Sequence, residues 1–527
     1  MQNLLSYIFL SPLLVALVIL LIPAGRWRAI RLLNLAAIGV QVILAIVLLV
    51  HFDQGLKPDG WANAFQFVEK VDWINLSIGS IGSFKIQYFL GVDGISLPLV
   101  ALSTLVLLVG SIASWNIEKN VKGYYFLYLI LSSSIVGCFL ALDLFLFYLC
   151  FEFMLLPMFF LIGIWGGKRR SYASIKFFLY TLLGSLFILV VMILLYTSVV
   201  EESVKTFSIV AMLDGSYSSE GVLNPTKQDF ILGLPTRSLA FIFLLIGFGI
   251  KLPSVPVHTW LPDAHVEAPT SLSVVLAGLL LKVGAYGLFR VSYGIFPDIA
   301  FQYADWVAFF GVLSIIYGGM NALAQRDLKR MVAYSSVSHM GFVLVGLASL
   351  TASGFSGALF HMISHGIISP ALFLVAGVVY DRTQDRTMDN FSGLAQKMPV
   401  YTFFVALFFF AGLGLPGMSG FVGELMVLMG AFTSTSVGNW VGSLAIIGII
   451  ISAAYFLWTI QRMFFGKFFV REVDWEPSMK DLTLREKIML VPLAVLTVLF
   501  GVFPRLILDY SNETIAFFME HISKHAP

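Results

Sequence analysis

GFGIKLPSVPVHTWLPDAHVEAPTSLSVVLAGLLLKVGAYGLFR, residues 247–290, starts and ends as apolar helix and is polar and proline-broken in between. The first apolar run reaches Lys251 and is interrupted at Pro253 and Pro256. A segment with His258, Trp260, Asp263 and His265 follows, and a second apolar run carries Lys282. One ammonium at the middle of a membrane helix costs about 2.5–3.5 kcal/mol on insertion scales, and backbone groups freed by proline are tolerated in hydrocarbon only where protein or a wet cavity satisfies them. Two lysines flanking a broken helix therefore point to an ion path and not to an anchor.

The rest of the chain supplies the membrane. Of 527 residues 59% are hydrophobic, 12% are charged and 48 are Phe, and the mean hydropathy is +0.91, a mix foreign to soluble domains. A spanning helix needs about 20 mostly apolar residues, and fourteen stretches qualify, near 4–22, 30–51, 88–113, 123–142, 144–164, 174–200, 237–252, 270–292, 302–322, 328–350, 355–380, 400–430, 437–465 and 486–508. The expected fold is thus an all-α polytopic membrane protein of about fourteen helices, numbered 1–14 below.

Net charge is only +2, so no global field draws nucleic acid or an acidic substrate, but the distribution of charge is informative. With the N-terminus outside, the loops holding Arg26, Arg28, Arg31, Lys119, Lys122, Lys168 to Arg170, Arg326, Lys329, Arg330, Arg382, Arg386, Lys397 and the 462–487 group all face the cytoplasm. Of 32 Lys and Arg, 21 then lie on that side, 9 on the other and 2 within the membrane, which the positive-inside rule reads as both termini extracytoplasmic. Met1 to Ile22 lacks a basic n-region and a clear cleavage site and reads as the first span.

Cys138 and Cys150 lie inside apolar helices without metal-ligand spacing and read as filler; no iron–sulfur or haem site can be built from them. GLGLPG at 412–417 matches a dinucleotide fingerprint in letters only, because no strand precedes it and Pro416 interrupts it. The GVDGIS stretch, 91–96, opens helix 3 with Asp93 as its expected cap, and the first three helices, with no ionisable residue at mid-span, serve packing.

Helix 5, DLFLFYLCFEFMLLPMF from Asp143, places Glu152 nine residues in. At 1.5 Å per residue that is roughly 13–14 Å deep, near the centre of a core about 30 Å thick, where a carboxylate marks an ion pathway more often than simple packing. Pro157 loosens the same helix. Lys176, just inside helix 6, is expected to snorkel to the interface, and 201–236 reads as an external loop. A nearby carboxylate raises a desolvated lysine's pKa, so a Glu152–Lys251 pair of variable separation would act as a switch on the Lys251 proton if helices 5 and 7 pack.

Helix 10 contains YSSVSHMG with His339. Helix 11 contains HMISHGIISP, with His361 and His365 on one face and a break expected near Gly366 and Pro370. Neutral imidazoles donate and accept protons near physiological pH, which suits a relay; a metal role lacks a third ligand of fitting spacing. Helix 12 breaks at Pro416 and carries Glu424 eight residues later. IGFGIKLPSVP aligns with AGLGLPGMSGF, which suggests two halves, helices 4–8 and 9–13. Five helices per half is an odd number, so the halves would be inverted, as in many transporters. The expected units are 1–115 (helices 1–3), 116–295 (first antiporter-like half), 296–470 (second, inverted half) and 471–527 (helix 14 and tail).

These residues resemble the antiporter-like membrane subunits of respiratory complex I. The motifs that carry the resemblance are GVDGIS (91–96), FEFMLLPM (151–158), KLPSVPVHTWLPDAHVEAPT (251–270), LAGLLLKVGAYG (276–287), AYSSVSHMGF (333–342), HGIISPALF (365–373) and GLPGMSGFVGE (414–424), spread over nearly the whole chain. Glutamate on helix 12 is the pattern of the family's M-type branch; the sister L and N types carry lysine there, and the L type adds a long C-terminal lateral helix. The resemblance implies fourteen helices with helices 7 and 12 broken. It also implies a proton channel whose axis is Glu152, Lys251, Lys282 and Glu424 with His339 and His365 beside it, whereas His361 falls outside the family's ionisable positions.

The expected function is therefore proton translocation across the bacterial inner membrane as part of an NADH-quinone oxidoreductase, next to L- and N-type subunits. NADH, FMN, iron–sulfur clusters and quinone are expected on other subunits, with no cofactor or metal on this chain. A subunit of a multisubunit cation/proton antiporter, or of a membrane-bound hydrogenase complex, would show nearly the same constellation. Four ionisable groups within hydrocarbon argue against a pure scaffold.

Overall fold

The computed structural model describes residues 3–78, 82–201, 204–227, 229–231 and 233–526. Among them eleven helices are long and apolar enough to cross a membrane, or twelve if the bent pair at the C-terminal end is one span. The sequence-based count of fourteen exceeds this because helices 7 and 12 are each divided. Helix 7 is Thr236–Lys251 followed, after a break, by Trp260–Glu267. Helix 12 is Pro399–Gly412 and Ser419–Thr433.

Burial sorts the helices into a centre and a rim. The apolar windows of Thr270–Tyr293 (helix 8) and Ala352–Thr383 (helix 11) are wholly buried, and that of Leu328–Ala348 (helix 10) is 94% buried. A helix that is apolar all round is stable only when surrounded. The rim helices Trp27–His51, Arg170–Ser198 and Trp440–Phe464 bury 33–39% of theirs. Lys282, His339, His361 and His365 thus lie on the three most enclosed helices.

Four expectations are corrected. Helix 3 begins at Ser96, not near 88, because Gly82–Val92 (β2) pairs antiparallel with Gln66–Ile78 (β1). The alternation in FQFVEKVDWI is a strand signal within what read as a loop. The hairpin also closes the start of helix 1, where Glu69 accepts from the Leu5 and Ser6 amides at 2.8 and 3.2 Å. Helix 11 runs unbroken through Pro370 for 32 residues, since complete enclosure by neighbours holds the freed backbone groups in place. The expected C-terminal tail is a helix: Leu484–Val502 bends by 63° into Arg505–Ser523. Ile507, Ser511, Thr514, Ile515, Phe518 and Ile522 form its buried stripe, and Trp61 meets Phe517 edge-on at 4.9 Å.

Helix 5 behaves as its sequence indicates. It is Leu144–Phe153 and Leu155–Trp165, interrupted at Met154, because Pro157 has no N–H to offer the Phe153 carbonyl four residues back. Asp143 caps it, accepting from the Phe145 and Leu146 amides at 3.0 Å each. Asp93 likewise accepts from Ile95 and Ser96 at 3.1 and 2.9 Å.

Candidate functional site

Helix 8 carries two π-helical stretches, Leu276–Leu280 and Leu288–Tyr293, on either side of Lys282; such bulges shift the carbonyl register and recur at functional sites. Here the Lys282 ammonium donates to the Ala277 carbonyl, five residues back, at 2.6 Å and stands 2.7 Å from Nδ1 of His365. Lys282 is fully buried. Its two partners therefore come from its own widened helix and from helix 11.

Beyond His365 the groups continue in a row. The rings of His339 and His365 lie 5.6 Å apart, and those of His339 and His361 5.4 Å. His339 Nδ1 is 3.5 Å from Glu424 Oε1. The turn that splits helix 12 folds over this carboxylate: Gly414 has φ +79°, and a Cβ there would come within 2.4 Å of Glu424 Oε2. Four side chains from helices 8, 10, 11 and 12, distant in sequence, thus form one buried series.

At the other end, the Lys251 ammonium donates to the Phe151 carbonyl at 3.3 Å and lies 3.7 Å from the centre of the Phe151 ring. Helices 5 and 7 do meet at Glu152, the next residue, yet among the described residues no ion pair within 4.0 Å joins Glu152 to Lys251. Glu152 Oε1 is buried without a hydrogen-bond partner. The pair is adjacent but unengaged. Helix 8 rests directly on the helix 7 break, because a Cβ on Gly284 would meet the Leu252 amide nitrogen at 2.7 Å; the small residues around Lys282 permit this contact.

Several charged residues carry more than the sequence reading gave them. Lys176 pairs with Asp263 Oδ2 at 2.7 Å, because the Trp260–Glu267 helix brings Asp263 within reach. Lys329, counted among loop charges, is 3% exposed and donates to the Ala268 carbonyl at 2.5 Å. Arg290 and Asp93 form an ion pair with both side chains at 1% exposure or less. The spacing Lys282, Tyr286, Arg290 along one helix face was the available signal for the arginine.

The metal argument also changes. Spacing along helix 11 offered His361 and His365 without a third ligand. The structure turns His365 toward Lys282 and gathers His339, His361 and Glu424 from three helices, with ligand atoms all within 4.8 Å of one another.

A helical membrane core with broken helices and a buried lysine–histidine–glutamate series defines an antiporter-like ion-translocating subunit, and comparison with known proteins agrees. Residues 141–452 match the family model described as NADH:quinone oxidoreductase/Mrp antiporter, TM, and the chain belongs to that family. Within it, the chain is similar to NADH-quinone oxidoreductase subunit M of Rhodobacter capsulatus, with 41% identity over 525 residues, 99% of this chain and 97% of that one. Among solved structures it resembles a chain of respiratory complex I from Thermus thermophilus, with a TM-score of 0.80 and 28% identity over 99% of this chain and 100% of that one. It shares its fold with a chain of the Mrp complex from Dietzia, with a TM-score of 0.78 and 20% identity over 99% of each.

Proposed function

We propose that this chain is the M-type, proton-translocating membrane subunit of an NADH-quinone oxidoreductase, carrying a proton from Lys251 by way of Lys282, His365 and His339 to Glu424. The observation that carries the reading is the buried series itself, with Lys282 2.7 Å from His365 and His339 3.5 Å from Glu424. Lys282 gives its proton to His365 Nδ1, its nearest basic atom. A space of about 10 Å³ bounded by Ser335, His339, His361, Ser364 and His365, about the size of one water, bridges the imidazoles. Glu424 receives the proton at the end of the row. The adjacent but unengaged Glu152 and Lys251 fit a switch whose closure holds the proton on Lys251 and whose opening releases it.

In this reading the breaks at Leu252–Thr259 and Leu413–Met418 belong to corresponding positions of two inverted halves, 116–295 and 296–470, flanked by 1–115 and 471–527. Fourteen spanning segments result when each broken helix counts once. Both termini lie outside, in a bacterial inner membrane, with L- and N-type subunits as neighbours. The redox groups belong, in this reading, to other subunits. The 41% identity to a subunit M over nearly the full length favours this over the antiporter reading.

Deleting the chain in its host separates the two. Loss of NADH-driven quinone reduction in membranes, with NADH oxidation by an artificial acceptor retained and sodium tolerance unchanged, supports the oxidoreductase. Normal NADH-linked activity with collapsed sodium tolerance makes the chain an antiporter subunit.

A further inference from the structure

We propose that His339, His361 and Glu424 form a binding site for a divalent transition-metal ion of the zinc class. Three independent observations converge on it. The donor set is two imidazoles and a carboxylate, which suits zinc-class ions and not the all-oxygen preference of magnesium or calcium. The ligand atoms lie within 4.8 Å of one another, and the His339 Nδ1 to Glu424 Oε1 separation of 3.5 Å falls within the edge of about 3.3–3.6 Å expected of a tetrahedron with metal–ligand bonds of about 2.0–2.2 Å. Both ring nitrogens of His361, and Nδ1 of His339, are buried without hydrogen-bond partners.

The surroundings are shaped for a close approach. A Cβ on Gly423 would meet His361 Cα and Cβ at 2.9 Å and Nδ1 at 3.0 Å, so glycine there lets helix 12 lie directly on the imidazole beside Glu424. The adjoining space of about 10 Å³ admits one water-sized fourth ligand. His365 is excluded from the set because its Nδ1 faces the Lys282 ammonium at 2.7 Å.

Coordination would occupy lone pairs on His339 and Glu424 that the proposed relay needs, so the ion would act as an inhibitor seated in the proton path. Binding itself does not depend on the relay; only the inhibition rests on it.

The test uses the purified whole complex, stripped with a chelator and equilibrated with zinc alone. Wild type is expected to hold one more zinc per complex than His361→Ala. His361→Cys, which keeps a ligand, is expected to retain that zinc. The lost zinc should carry a first shell of nitrogen and oxygen at about 2.0–2.2 Å in X-ray absorption. Zinc inhibition of proton movement, each variant scaled to its own zinc-free rate, should weaken at least tenfold in His361→Ala. Equal zinc counts in wild type and His361→Ala would overturn the site, and His361→Gln supplies the same comparison if the alanine variant fails to assemble. A count lower by one with unchanged inhibition upholds the site and contradicts the relay.

Discussion

Lys282 and His361 are both buried but differently served: the ammonium has two close partners, the Ala277 carbonyl oxygen and His365 Nδ1, whereas neither ring nitrogen of His361 has one. His365 supplies the Lys282 contact at 2.7 Å, whereas His361 has no hydrogen bond from either nitrogen. Without added metal, His365→Ala is therefore expected to slow NADH-driven proton movement about tenfold or more, and His361→Ala by less; the reverse ranking in vesicles would show that the relay uses the other face of helix 11. Asp143, outside the spans at the cap of helix 5, gives a pH prediction. Burial raises its pKa from 3.8 to about 6, against the pull of amide donors from Leu146, Gln87 and Phe145. Its folded-state pKa lies above the unfolded value, so its contribution to stability is full below about pH 4 and is lost as pH rises through about 6, up to about 3 kcal/mol in all. Compared with Asp143→Asn, the wild type should gain melting temperature on going from pH 7 to pH 5, and a difference independent of pH would refute this. Glu152, Lys251, Lys282 and Glu424 were legible in the sequence because each is a charge inside an apolar run. Arg290, Asp93 and Lys329 sit at the ends of such runs, where a charge reads as interfacial, and only tertiary contact shows them buried.

At the scale of elements, the prolines were readable in part. Pro253, Pro256 and Pro416 coincide with glycines or polar residues that let the chain leave the helix, and the breaks lie there. Pro370 is embedded in an apolar run on a wholly enclosed helix, and enclosure overrides the local signal. The β1–β2 hairpin escaped because its strands alternate in a region whose length and polarity suit a loop. The helix 12 break makes a directed prediction. Gly414 and Gly417 both have positive φ, +79° and +91°, but a Cβ at Gly414 meets Glu424 whereas one at Gly417 meets nothing within 4 Å. Each alanine substitution costs about 1–2 kcal/mol of left-handed backbone strain, so stability should fall alike in Gly414→Ala and Gly417→Ala. Proton movement should fall several-fold further in Gly414→Ala. Equal activities would mean that the turn does not position the carboxylate.

For the molecule as a whole, the enclosed trio of helices 8, 10 and 11 holds the series together, and the rim helices keep lipid from it. The class of protein was legible from hydropathy, and the candidate axis from a handful of charged residues and prolines. Their order in space was not, because Lys282, His365, His339 and Glu424 meet only through packing of four helices. Nor was the C-terminal helix, whose apolar stripe is diluted by polar residues into a segment that reads as tail. This series, gated by Glu152, is the proposed route of the proton. The most direct measurement is NADH-driven proton uptake per quinone reduced in vesicles containing the whole complex, with wild type, Glu152→Gln and Glu424→Gln compared at equal levels of assembled complex. Loss of proton uptake and depressed coupled NADH oxidation in both variants, with NADH oxidation by an artificial acceptor intact, is the predicted result. Near-normal proton uptake in either variant would contradict the account.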